Sequence, residues 1–366
     1  MSQTVQEPKP QMADEVFKNI QVLRGLTVDE FMGTMGFIAA SLSMNCVDCH
    51  VIASASDVAK FADDTPLKQT ARKMILMVKN INAANFAGRS TVTCYSCHRG
   101  ADRPIGVPSL ADQYSTPPPE DPDYAEIVEP SVAGAPSVDQ ILDKYVQALG
   151  GTQRLAGVTS FVAKGTYEGF DTSDEKVPVE LFAKAPAQRT IVVHLPEGDS
   201  VRTYDGRTGW MTSTGTLLPL PVLLLSGGEL DGARLDAVLS FPAEIKGAYK
   251  NWRTGFPATT IDDNAVDIVQ ATGADNMPVK LYFDKKSGLL VRLMRYSETP
   301  IGINPTQIDY ADYRDVAGVK MPFRYIVTWT DGRSTTELST VQANLPIDAS
   351  KFAEPNPPTA RKAANP

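Results

Sequence analysis

The pattern Cys-x-x-Cys-His occurs twice, at residues 46–50 and again at residues 94–98. The two pentads use all four cysteines and two of the three histidines of the chain. This spacing is the covalent attachment site of a c-type haem: both thiols bond the porphyrin vinyl groups and the histidine ligates the iron. A zinc site would use four Cys/His ligands and need no histidine directly after each pair. A redox Cys-x-x-Cys normally opens a helix in a βαβ setting. Two matches with no cysteine left over point instead to two haem c groups. Cys46, Cys49 and His50 hold one, and Cys94, Cys97 and His98 the other.

At 366 residues the chain is long enough for two domains. No apolar run approaches the roughly 20 residues of a membrane-spanning helix, so no transmembrane segment is expected. A net charge of −8 argues against nucleic acid as a partner. Residues 1–103 hold 11 Lys+Arg against 10 Asp+Glu, and the remainder 24 against 33. Any docking patch must therefore be local. Covalent haem attachment in bacteria takes place outside the cytoplasmic membrane, so the expected location is periplasmic or otherwise extracytoplasmic. Residues 1–10 have neither the charged start nor the apolar stretch of a signal peptide, and are read as a processed or re-started beginning.

Three stretches differ in composition. Residues 13–104 are helix-like. Residues 105–136 are proline-rich, which excludes a regular helix or a central strand and reads as an extended linker. Residues 137–353 begin with one helix and continue as short β-like runs.

Within the first stretch, Thr27-Val28-Asp29-Glu30 is a capping box. It opens a helix with an apolar stripe at Val28, Phe31, Met35, Ile38 and Leu42. A second helix starts at Thr65-Pro66 and carries Leu67, Ala71, Met74, Val78 and Ile81. The pentad histidine fills one axial position of an iron, and methionine is a usual occupant of the other. His194 alone remains, too few for bis-histidine ligation of both haems. Met35 and Met74 sit centrally on the two stripes, with Met32, Met44 and Met77 as rivals. Methionine as ordinary core filler is the plainer alternative.

The run Val16-Phe17-Lys18-Asn19-Ile20-Gln21-Val22-Leu23, then Glu30-Phe31, Met35 and Cys46-Val47-Asp48-Cys49-His50, resembles the cytochrome c subunit of photosynthetic reaction centres. So does Ala71-Arg72-Lys73-Met74-Ile75-Leu76-Met77, followed by Ile81-Asn82 and by Val92-Thr93-Cys94-Tyr95-Ser96-Cys97-His98-Arg99-Gly100. The resemblance covers residues 13–104. It implies that a helix ahead of each pentad donates an axial methionine: Met35 for the first haem and Met74 for the second. Family members carry four haems in two such halves, and this chain has one half. The histidine expected before the second pentad is missing from Ala84-Asn85-Phe86-Ala87-Gly88. That absence fits a two-haem unit and weakens a photosynthetic role.

In the second part, residues 137–149 read as an amphipathic helix capped by Ser137 and ended by Gly150-Gly151. Strand candidates follow at 158–167, 188–194, 279–284, 289–296, 319–328 and 334–341. Lys286-Ser287-Gly288 and Asp331-Gly332 read as hairpin turns. The expected fold class is thus a two-domain α + β chain: a small helical dihaem domain, then a curved antiparallel half-barrel with few helices. The order of Tyr204-Asp205-Gly206, Gly209-Trp210, Leu281-Tyr282-Phe283-Asp284, Gly288-Leu289-Leu290-Val291-Arg292 and 309–314 resembles periplasmic lipoprotein carriers and outer-membrane lipoprotein-sorting proteins. That resemblance implies an apolar concave face. The run at 217–225 reads as buried core, with a lid over that face as the alternative.

His194 alternates with Val192 and Thr190 on a strand and reads as structural or surface. No phosphate loop, and no serine or cysteine paired with a histidine, suggests catalysis. The expected function is electron transfer between redox-protein donors and acceptors, by two His/Met-ligated haems. The alternatives are a reaction-centre-associated donor, a dihaem peroxidase with an open iron, and a module whose β domain takes a hydrophobic ligand or docks a protein.

Overall fold

The computed structural model describes residues 8–55, 57–104, 106–107, 110, 134–213, 219–256, 259–273 and 277–358. The proline-rich stretch lies almost wholly outside them, as do Leu217 and Leu218.

Helix α1 (Val28–Leu42) starts where the capping box places it. The Thr27 hydroxyl accepts from the Glu30 N–H, and the Glu30 carboxylate accepts from the Thr27 N–H at 2.8 Å. The first pentad forms the one-turn helix α2 (Cys46–Cys49). Helix α3 (Pro66–Asn85) begins on Thr65 and Pro66 as the sequence suggested, and α4 (Cys94–His98) is the second pentad. The Thr93 side chain accepts from the Ser96 N–H and caps α4.

The most buried face of α1 coincides with the apolar stripe only at Val28. Val28, Asp29, Thr34, Phe37 and Ser41 are buried, while Phe31, Met35, Ile38 and Leu42 are half-buried. The reason is tertiary: α1 packs on the inside edge of the sheet through Gly33, Gly36 and Phe37. The Phe37 ring lies where a Cβ at Gly302 would stand, so only glycine permits that approach.

Residues from 137 onward open with helix α5 (Val138–Leu149). Ser137 and Gln140 form its capping box, and Gly150 and Gly151 end it at φ +129° and +88°. The strands are β1 (Ser160–Gly169), β2 (Val177–Lys184), β3 (Gln188–Leu195), β4 (Gly198–Tyr204), β5 (Gly209–Thr212), β6 (Leu223–Leu224) and β7 (Lys250–Arg253). They continue as β8 (Thr259–Ile261), β9 (Asn264–Thr272), β10 (Pro278–Asp284), β11 (Leu290–Thr299), β12 (Gly302–Val316), β13 (Val319–Trp329) and β14 (Gly332–Ala343). All pair antiparallel in one sheet, in the order β6-β5-β4-β3-β2-β1-β14-β13-β12-β11-β10-β9-β7, with β8 against β9. The first strand pairs with the last, and the ends at β6 and β7 do not meet, so the sheet is curved and open. This is the half-barrel the alternation predicted.

The main core lies between the sheet and α5: Leu142, Leu149, Phe161, Leu181, Leu281 and Leu293 are all buried there. Helix α6 (Gly227–Ser240) crosses the concave side, touching β3, β4 and β5 on one flank and β11 on the other. Leu223, Leu224 and Leu225 just before it are buried, so the described end of the 217–225 run is core.

Candidate functional site

Both pentads coil into a single helical turn, which brings the two thiols of each pair to one side. Cys46 and Cys97 are exposed, Cys49 is half-buried and Cys94 is buried. Burial pushes the Cys94 thiol up to about 11 and raises that of Cys49.

The histidines are oriented in the same way. His50 Nδ1 stands 3.2 Å from the Phe61 carbonyl oxygen, and His98 Nδ1 3.0 Å from that of Ala101. A carbonyl only accepts, so Nδ1 carries the proton in each ring and the Nε2 lone pair is left for a metal. Burial, reinforced by Lys68, lowers the pKa of His50, which favours the neutral ring that ligation requires.

Residues outside the motif hold these turns in place. Lys68 Nζ donates to the same Phe61 oxygen at 2.8 Å, and the Thr65 hydroxyl donates to the Cys49 carbonyl at 2.5 Å. Asn82 is buried on α3 and grips Val92 from both sides, donating to its carbonyl at 2.7 Å and accepting from its N–H at 2.9 Å. That grip fixes the strand of chain entering the second pentad. Its signal in the sequence was one polar residue among the apolar positions of α3.

The neighbourhood fits a large flat apolar group. Ile75 and Val78 of α3 are buried, but Leu67, Met74, Leu76 and Met77 on the same helix stay exposed, Leu67 at 48% and Met74 at 38%. Such a bare apolar surface beside two thiol pairs suits a porphyrin face. Met35 is half-buried in the apolar cluster that also holds Cys94, Ile75 and Val78. Met44 Sδ lies 3.9 Å from Cys49 Sγ, and Met32 is exposed. His194 is apart from all of these: its Nδ1 is 2.9 Å from Asp199 Oδ1 and its Nε2 3.8 Å from Glu180 Oε2. It is a strand-surface residue. Among the described residues no helix is long and apolar enough to cross a membrane.

A cavity of about 680 Å³ lies between the concave face of the sheet, α6 and α1. Its lining runs from Tyr145, Phe161, Tyr310 and Tyr325 to Met32 and Cys46. At the α1 end it carries a charge cluster that periodicity did not reveal. Arg202 donates to Glu229 at 2.9 Å and Arg295 approaches it at 3.6 Å. Burial alone would raise Glu229, but Arg295 and Arg202 together hold it down to about 2. Asp29 accepts from the Ser226 N–H at 2.7 Å.

Residues 1–129 match the family model described as photosynthetic reaction centre cytochrome C subunit. The photosynthetic reaction center cytochrome c subunit of Thermochromatium tepidum is 36% identical over 92 residues, covering 24% of this chain and 22% of that protein. Its counterpart in Roseobacter denitrificans is 32% identical over 111 residues, covering 28% of this chain and 29% of that protein. The chain thus spans about a quarter of the length of these curated relatives. A LolA superfamily protein from Nitrosomonas europaea aligns with 60% of this chain and 98% of its own, at 16% identity and a TM-score of 0.40. A DUF1329 family protein from Desulfovibrio piger aligns with 59% and 97%, at 12% identity and a TM-score of 0.41.

Proposed function

We propose that this chain is an extracytoplasmic electron-transfer protein with two covalently attached c-type haems, each ligated by a histidine and a methionine. The observation that carries the reading is the matched pair of pentad turns, whose histidines both have Nδ1 against a backbone carbonyl and Nε2 left available. When bound, haem iron supplies a one-electron couple whose potential the axial ligands and surroundings tune.

The chain's own residues supply the rest. Cys46, Cys49, Cys94 and Cys97 anchor the two groups, and His50 and His98 provide the fixed axial ligands. Met35 and Met74 are assigned as the opposite ligands, from their helices and from the likeness to reaction-centre subunits. The apolar side chains of α3 exclude water from the bound faces. Redox proteins would be the partners on either side.

The test is maturation of the full chain in a host with c-type haem machinery. Two haems per chain and two low-spin, methionine-ligated irons are expected. One haem, or a high-spin iron that reacts with peroxide, would overturn the carrier reading in favour of an enzyme.

A second reading concerns the β-rich part, which would take a hydrophobic ligand or dock a partner. The 680 Å³ cavity favours it, being within the size range of small-molecule sites. Calorimetric titration of the full chain with amphipathic ligands tests it.

A further inference from the structure

We propose that the concave cavity binds a neutral hydroxylated aromatic ring, of the phenol or hydroquinone class. Its hydroxyl group would sit between Asp236 and Arg189, among Tyr145, Tyr310 and Tyr325. The proposal deepens the ligand-binding reading above and rests on it.

All five residues line the cavity. Asp236 projects from α6 on the face that also carries Glu229, Ala233 and Ser240, so this helix turns a polar stripe toward the interior. Arg189 enters from β3, donates to the Ser240 hydroxyl at 3.0 Å and lies 6.0 Å from the centre of the Tyr325 ring. Tyr325 and Tyr310 meet edge-to-face, with ring centres 5.8 Å apart. Tyr145 comes from α5 and is 3% exposed. Asp236 is near enough for its charge to act on Tyr310 and Tyr325, and the Tyr325 phenol acts on Tyr145. Burial raises the pKa of all three phenols, which remain hydroxyls at physiological pH.

No other described residue hydrogen-bonds the hydroxyls of Tyr145, Tyr310 or Tyr325, or the carboxylate of Asp236. Tyr313 differs, since its hydroxyl donates to the Leu290 carbonyl at 2.7 Å. Asp236, Tyr310 and Tyr325 are half-buried and line the cavity, so their polar atoms are open to a ligand that can make directed hydrogen bonds with them. An alkyl chain engages none of them. A carboxylate head would suit Arg189 but would face the like charge of Asp236. A phenolic hydroxyl donates to Asp236 and accepts from Arg189 or a tyrosine, which satisfies both. Around it, Phe161, Phe241, Leu239 and Val327 supply the apolar walls an aromatic ring requires. Cys46 of the first pentad lines the same cavity.

The test is isothermal titration calorimetry on the haem-loaded full chain, kept fully reduced under argon so that binding is measured without oxidation. The probes are trimethylhydroquinone and, separately, myristate. The hydroquinone is expected to bind, and the double variant Tyr310→Phe/Tyr325→Phe to weaken it at least tenfold with melting temperature and haem absorbance retained. Asp236→Ala should weaken the hydroquinone and strengthen myristate, by removing the acceptor and the like charge. Hydroquinone binding unchanged in the double variant overturns the proposal. Tighter binding of myristate, indifferent to the tyrosines, also overturns it while leaving a ligand site in place. Heat from neither probe overturns the proposal and the ligand-binding reading together.

Discussion

The Ser226 N–H donates to the Asp29 carboxylate at 2.7 Å, and this bond ties the first helix of the pentad region to the inside of the β-sheet. Asp29 is 8% exposed, and the Thr27 hydroxyl next to it meets the Ser226 hydroxyl at 2.8 Å. One turn further along α1, Asn304 donates to the Gly33 carbonyl at 2.8 Å. Burial, with the negative charge of Glu229 adding to it, raises Asp29 from 3.8 to about 7.

A carboxyl raised on folding makes stability fall as pH rises. The folded chain keeps a proton that the unfolded chain releases near pH 4, so the cost accumulates between about pH 4 and 7 and is complete above that. Glu229 works the other way, but only as pH drops from 4.5 toward 2. The lowered pKa of His50 opposes this between pH 5 and 8, so the Asp29 share, about 2 kcal/mol in favour of pH 5 over pH 8, is read from urea unfolding of the protein against Asp29→Asn. Asp29→Asn should flatten that slope, because the amide oxygen still accepts from Ser226 without ionising. An equal slope in the variant would place the titration elsewhere.

Haem stoichiometry follows from the two pentads. Denaturing mass spectrometry of mature protein should show two added haem masses. His98→Ala should keep both masses, since the thioether bonds are to cysteine, while turning one iron high-spin. A mass with free thiols, from a maturation-competent host, would remove the basis of the electron-carrier reading.

For the opposite ligands, Met74→His should keep its haem low-spin but lower its potential, because imidazole donates more strongly to ferric iron than a thioether does. Met35→Ala and Met74→Ala should each abolish one of two near-infrared methionine–iron signals. Loss of a signal in Met77→Ala or Met44→Ala instead would shift the assignment. Met44 is a real competitor because its sulfur lies 3.9 Å from Cys49.

Local signals in the sequence were the ones that survived folding. Thr27 with Glu30, Thr65 with Pro66 and Ser137 with Gln140 start helices because a cap needs only neighbours a few residues away. Strands with strict alternation, such as β3 and β13, were legible for the same reason. Helix α6 was not. It opens on Gly227-Gly228 and directs Glu229 and Asp236 inward, so it lacks the apolar stripe that marks a core-facing helix. The sheet-facing side of α1 was not legible, because its partner, Gly302, lies far along the chain and no local period reports such a contact.

That contact has a measurable energy. Phe37 is 6% exposed and packs with Ile301, Ile75 and Val78. Phe37→Ala should cost about 3 kcal/mol and lower the melting temperature. Gly302→Ala should be comparably harmful, since its Cβ would overlap the Phe37 ring. Restoring space with Phe37→Leu in the Gly302→Ala background should recover part of the loss. If the effects of Phe37→Leu alone and Gly302→Ala alone simply add in that double variant, the residues do not share a contact.

The last prediction separates the two parts of the chain. Residues 137–353 should fold alone into a mostly β domain, because the cluster from Leu142 to Leu338 is contained within them. Residues 13–104 should not fold without haem. Their own buried cluster is small among the described residues, and its most deeply buried member, Ile301, comes from the turn between β11 and β12. The exposed Leu67, Met74 and Met77 would meet water on α3, and a helix of 20 residues is marginal without an apolar partner. Circular dichroism on the two separately expressed pieces decides the point. A cooperatively melting helical apo-fragment of residues 13–104 would mean that neither porphyrin nor sheet is needed for its core. A failure of 137–353 to fold would mean instead that α1, through Asp29 and Phe37, completes the half-barrel.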